Sequence, residues 1–294
     1  MTAHAQAQIL LFFTTDPDAV IGRIRRFRTA FMQFGQGCDF ALVSFLPDQA
    51  TSVRQKMLDG VAIPHHIYGP EAIDTLRYPV KGSRKPFRLI PGNCDLVPLL
   101  FWKAHPRYQQ LWVMEDDVEY TGDPARLFAD LAPKDEDLLA SHVTRCVDNW
   151  IYTKRFRSPG IDLPADARWL SFFPFYRVSR RALEAIDRRY LEGWDGHQEM
   201  AWPTILKLAG CSILDIGGQG PCVSVENINK HYIGLPGSDF EKHGSFGTMH
   251  IRLKPGKQKN VLWHPVKTPK AWVKQQAKRT LSIIKWKCMQ LTGR

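Results

Sequence analysis

The chain alternates short, continuous apolar runs with segments whose apolar residues recur at helical spacing. Gln8–Thr15 is almost wholly apolar and ends at Asp16-Pro17-Asp18, which predicts a strand buried on both faces, then a turn and a helix cap. Ala19–Phe34 carries Val20, Ile24, Phe27 and Phe31 at helical spacing with arginines between them. Phe40–Leu46 reads as a second buried strand, and Pro47-Asp48 opens a helix expected to reach about Leu58. Ala62–Tyr68 is a short third strand, Leu96–Ala104 a helix capped by Asn93 or Asp95, and Leu111–Met114 the next strand. Asp123–Leu131 reads as a helix and Asp137–His142 as a strand. Further on, Ser171–Val178 predicts a strand, Ser179 caps a helix running to Tyr190, and Pro203–Leu208 is a short helix. Ser212–Ile216 and Val261–Trp263 are the last strands. Buried strands alternating with helices imply an α/β fold, a mostly parallel central sheet flanked by helices.

Two stretches lack periodicity. Tyr78–Asn93 is rich in Pro, Gly and basic residues (Lys81, Arg84, Lys85, Arg88) and reads as a functional surface loop. Asn149–Trp169 is aromatic and basic, as a lid or acceptor loop would be.

Composition narrows the class. At 294 residues, 44% hydrophobic and 23% charged, the chain has the makeup of a soluble globular protein with a substantial core. Its longest apolar runs are too short to span a bilayer, and Met1–Gln8 has no basic stretch before its apolar run, so no secretory signal is expected. Six cysteines without a Cys-x-x-Cys pair suit reduced thiols in the cytoplasm. The net charge of +11 sits in a tail: residues 250–294 hold twelve Lys or Arg and no acid. The body is therefore near neutral, and no nucleic-acid partner is expected. Lys267–Leu291 puts Val273, Ala277, Leu281, Ile284, Cys288 and Leu291 near one helical face. Such a basic amphipathic helix either lies on an anionic membrane, making the protein peripheral on the inner face, or packs on the body.

The candidate chemistry begins at Glu115-Asp116-Asp117, directly after the Leu111–Met114 strand. Three successive carboxylates repel one another, and a hard divalent cation relieves that conflict; a solvated acidic turn is the plain alternative. Open α/β sheets bind ligands at the carboxyl ends of their strands, which favours the cation. Asp195-Gly196-His197-Gln198-Glu199 precedes the short helix, whose positive end would hold Glu199 as a general base or merely as a cap. His264, at the exit of the last strand, can supply a distant imidazole to the acids. No His-x-x-x-His motif, phosphate-binding Gly-Lys loop or nucleophile signature is present, and Gly217-Gly218-Gln219-Gly220 opens no helix.

Together these residues resemble the GT-A type glycosyltransferases. Glu115-Asp116-Asp117 stands at that class's Asp-x-Asp position, with Glu for the first acid. The run from Gly92-Asn93-Cys94-Asp95 through Phe101-Trp102 to Tyr120-Thr121-Gly122 is similar to a GT-A-like bacterial family, as is Phe175-Tyr176-Arg177-Val178-Ser179-Arg180. The resemblance implies a GT-A-like (Rossmann-like) catalytic domain over 8–267, with a nucleotide-binding half (8–122), an acceptor half (123–267) and a basic helix (268–294). It further implies a nucleoside diphosphate-sugar donor, a glycan or lipid-linked acceptor, and Mn2+ or Mg2+ held by Asp117 and His264. Asp16, Asn93, Asp95, Glu115 and Asp116 would serve the donor side, and Lys81, Arg84 or Lys85 could add positive charge to the diphosphate. Glu199 would be the base of an inverting displacement. The rivals are a metal-dependent phosphohydrolase or nucleotidyltransferase, and a non-catalytic nucleotide- or glycan-binding module on the same fold.

Overall fold

The protein is described by a computed structural model over residues 7–34, 37–85, 87, 89, 92–146, 150–234, 244–248 and 250–277. Its strands are β1 (Gln8–Phe13), β2 (Cys38–Phe45), β3 (Ser52–Leu58), β4 (Val61–Tyr68), β5 (Gln110–Glu115), β6 (Glu119–Tyr120), β7 (Leu138–Arg145), β8 (Trp169–Ser179), β9 (Ile213–Asp215) and β10 (Leu262–Trp263). The helices are α1 (Ile21–Met32), α2 (Pro70–Asp74), α3 (Leu96–Ala104), α4 (Pro124–Leu131), α5 (Arg180–Leu191) and α6 (Gln198–Leu208). Eight strands form one sheet in the order β3-β4-β2-β1-β5-β8-β7-β9, and β6 pairs with β10 separately. β4, β2, β1 and β5 run parallel, while β8 enters antiparallel between β5 and β7. The expected mixed α/β architecture, a mostly parallel sheet flanked by helices, is present.

Strand order creates the site. From β1 the chain builds outward to β2 and β4, then returns to lay β5 on the other side of β1. The connections leave β1 and β5 in opposite directions, which opens a crevice at their carboxyl ends, the usual ligand position of open α/β sheets. Thr14–Asp16 and Glu115–Asp117 flank that crevice. Below it, Phe31, Trp112 and Phe128 pack edge to face with centroids 5.0–6.1 Å apart and fasten α1 and α4 to β5.

Two sequence expectations are corrected. The segment from Pro47 to Leu58 is not helical: Ser52–Leu58 is β3, paired antiparallel with β4. Asp59 and Gly60, with φ of 52° and 78°, make the two-residue hairpin turn that Asp-Gly favours, and outward-facing Arg54 and Lys56 guard the edge. The helix placed at Pro203 begins five residues earlier, at Gln198, because His197 Nδ1 caps it by accepting from Glu199 N, 3.3 Å, and its burial outweighs an internal proline. Neither Asn93 nor Asp95 caps α3 with its side chain. Of the basic tail, residues 269–277 are helical and 278–294 lie outside the described residues, as does Arg88. Among the described residues no helix is long and apolar enough to cross a membrane.

The loop 78–93 is only partly a surface loop. Lys81 is buried, its ammonium donating to the carbonyls of Gly92 (2.5 Å) and Gly196 (2.7 Å) and lying 3.3 Å from the buried Asp95 carboxylate. Asp95 also accepts from Tyr190 (2.6 Å) and Trp202 (3.1 Å). This cluster ties the segment before α3 to the segment before α6. Breaking a buried pair from one side is expensive. Lys81→Ala should lower unfolding free energy in urea by roughly 3–5 kcal/mol, and Lys81→Ala/Asp95→Asn should recover part of that loss.

Candidate metal centre and the adjoining cleft

β5 delivers Glu115 as its last residue, and the chain turns at once: Val118 N donates to Glu115 O at 3.1 Å. The three acids then part. Asp116 turns toward β1, accepting from the Thr14 hydroxyl at 2.7 Å. Burial raises its pKa, partly opposed by that hydrogen bond. Asp117 turns the other way and is buried. The strand that follows the acids is also what brings in His264. Trp263 pairs with Glu119 and Leu262 with Tyr120, and Val266 N donates to Asp117 O at 2.7 Å, so the residue leaving β10 lies over the acids.

His264 Nε2 is 3.2 Å from Asp117 Oδ1 and 3.6 Å from Glu115 Oε2. One donor atom from each of Glu115, Asp117 and His264 lies within 4.8 Å of the others. His264 Nδ1 sits 2.7 Å from the Gly247 carbonyl, which fixes Nδ1 as the protonated nitrogen and turns Nε2 to the carboxylates. Asp117 is buried, its Oδ1 facing the His264 ring and its Oδ2 paired with Lys267. Two oxygens and an imidazole nitrogen suit a divalent cation such as Mn2+ or Mg2+. The residues fit the ion.

Charge among these side chains is balanced by the His264 proton and the Lys267 ammonium. Burial alone would lower His264, but Asp117 and then Glu115 outweigh it and raise its pKa to about 10. The Asp117 carboxyl, despite burial, is held well below the usual carboxylate range by His264 and Lys267. Behind the acids Arg23 donates to Asp116 O and Val266 O and pairs with Glu119, which Arg26 also holds.

The remaining expected residues are distributed as follows. Asp16 is exposed at the end of β1, where its carboxylate accepts from Ala19 N at 3.3 Å and its N–H donates to Thr14 Oγ1. Asn93 lines the cleft described below. Asp95 does not face the crevice; it is in the core with Lys81. Of the three cations considered for the diphosphate, Lys81 is buried, Lys85 pairs with Asp74, and only Arg84 lines the cleft. Glu199 lies in the first turn of α6. Burial, then Glu115, Asp95 and Glu199, push the Cys94 thiol up, so Cys94 lies within electrostatic reach of both Glu115 and Glu199. Burial, Lys81 and Arg155 lower His197 to about 3, leaving its ring neutral. Its 3.5 Å approach to Glu199 is therefore not a charge pair.

A cleft of about 570 Å³ opens beside Asn93 and His197, with Arg84, Lys154, Arg155, Arg157 and Asp195 around it. A smaller pocket joins Cys94, Glu115, Tyr176 and Gln198. Sequence reasoning missed Lys267, Arg23 and Gln198. Lys267 follows His264 by three residues, the one local signal that it shares the site.

No family model and no curated protein matches the chain. Among solved structures it is similar to galactosyltransferase LgtC in complex with donor and acceptor sugar analogues, at 13% identity and TM-score 0.39 over 72% of this chain and 76% of that one. It is also similar to mouse xyloside xylosyltransferase 1 (11%, 0.33, 69% and 82%). A third likeness is to a glycosyltransferase involved in glycosylation of the major capsid of PBCV-1 (11%, 0.30, 62% and 63%).

Because His264 must release its proton to offer Nε2, a cation competes with H+ over the whole range below about pH 10. Mn2+ affinity should fall by about tenfold per unit as pH drops, with about one proton released per ion at neutral pH. Calorimetry in two buffers of different ionisation heat reads that proton directly. Affinity that stays flat from acid to neutral pH contradicts the assignment.

Proposed function

We propose that this chain is a metal-dependent glycosyltransferase, moving a sugar from a nucleoside diphosphate-sugar to an acceptor hydroxyl. The observation that carries the reading is the convergence of Glu115, Asp117 and His264 at the crevice between β1 and β5. A cation bound there supplies charge stabilisation to the leaving diphosphate. The protein's own residues do the rest. Thr14 and Arg23 hold the β5 turn, so the acids present a fixed face to the donor. Asp16, at the exposed end of β1, serves the ribose or base. Glu199 takes the proton of the acceptor hydroxyl, which makes the displacement a single inverting step. Lys81 holds Gly92 and Gly196, and through them the segments carrying Asn93 and His197.

Incubation with nucleotide-sugars and Mn2+ should release nucleoside diphosphate, and EDTA should abolish the release. Glu199→Gln should lower kcat by about 10²–10⁴-fold while the donor KM stays unchanged. Near-normal turnover in that variant would remove Glu199 as the base. Hydrolysis of plain phosphoesters in place of sugar transfer would favour a phosphohydrolase.

A further inference from the structure

Some exposed cations on this protein are paired with acids, such as Arg25 with Asp59, Lys85 with Asp74 and Arg107 with Asp39. The 570 Å³ cleft gathers, around one concavity, four that are not. Arg84, Lys154, Arg155 and Arg157 all line it and all are exposed, yet among the described residues none forms an ion pair. Among the described residues Asp195 is the one acid in the lining. Four like charges around one concavity repel each other and focus a positive potential into it. That arrangement is unfavourable in the empty protein and is relieved by an anion.

The walls are held in place. Arg157 and Asp195 exchange backbone hydrogen bonds of 2.8 and 3.1 Å, fastening the 150–168 segment to the residues before α6. On the opposite side Lys81 joins Gly92 to Gly196. Gly92, with φ of 93°, lies so close to His197 that a Cβ would stand 2.7 Å from the ring. The cleft is thus formed before a ligand arrives, which reduces the ordering cost of binding.

Its position decides which ligand. The donor diphosphate would find its counter-charge in a cation held by Glu115, Asp117 and His264. The cleft instead adjoins His197, and Glu199 follows two residues later in the first turn of α6. We propose that this cleft is the acceptor subsite and that its acceptor carries a phosphate or carboxylate group, recognised by the planar guanidinium forks. The assignment rests on the glycosyltransferase reading above.

Calorimetric titration of the intact protein with methyl glucoside, glucose 6-phosphate and glucuronate tests it. At least one anionic sugar should bind about tenfold or more tighter than the neutral glucoside, with the advantage shrinking as NaCl is raised. Arg155→Gln/Arg157→Gln should erase the advantage and leave binding of Mn2+ and of nucleoside diphosphate with Mn2+ unchanged. Both arginines are exposed and unpaired among the described residues, so the fold should be preserved, which an unchanged melting midpoint checks. Equal binding of neutral and anionic sugars overturns the proposal. Loss of nucleoside diphosphate affinity in the double variant overturns it too, because the cleft would then belong to the donor. If neither protein binds nucleoside diphosphate with Mn2+ while the anionic preference persists, the transferase reading fails and takes the acceptor role with it.

Discussion

Three adjacent carboxylates at the mouth of a buried strand repel one another, and the irregular parts of this molecule near the sheet edge are arranged around that repulsion. The backbone turn after β5 separates the three side chains. Asp116 is drawn to Thr14 on β1, Asp117 to His264 and Lys267, and Glu115 stays part-exposed over the crevice. Arg23 then braces the turn from behind, donating to Asp116 O while its charge is paired with Glu119. The β6–β10 pair is short, but it sets where His264 falls. Without that pairing the imidazole has no reason to meet the acids.

The same arrangement gives the site its chemical character. The His264 proton and the Lys267 ammonium balance Asp117 and Glu115, so a divalent cation would enter by replacing a proton and not by adding to an already positive centre. Positive charge elsewhere is kept apart from this centre. Lys81 is consumed inside the core by Asp95 and two carbonyls, and Arg84, Arg155 and Arg157 line a separate cleft. A donor and an acceptor would thereby find their counter-charges on different walls, with Glu199 near the boundary.

Much of the sheet was legible because its strands are continuous apolar runs, a signal that needs no tertiary context. The errors lay where local signals competed. Pro47-Asp48 reads as a helix start, yet Asp59-Gly60 further along the chain fixes a hairpin and hence a strand at Ser52–Leu58. Pro203 reads as a first helical residue, yet the cap is the less common His197, and burial of Met200, Trp202 and Ile205 carries the helix through the proline. In the candidate site the acid triplet announced itself through charge crowding. Asp95 looked equally available, and nothing local reveals that Lys81 lies beside it in the core. Arg23 is one arginine among several on α1, and its reach to Asp116 O depends on a contact ninety-three residues away in sequence.

The central claim is that Glu115, Asp117 and His264 form one cation site. Crystals soaked in MnCl2 and measured at the manganese absorption edge test it most directly. The account predicts an anomalous peak between Glu115, Asp117 Oδ1 and His264 Nε2, absent from Asp117→Asn crystals. No peak there, with the His264–Asp117 contact intact at saturating manganese, would contradict it.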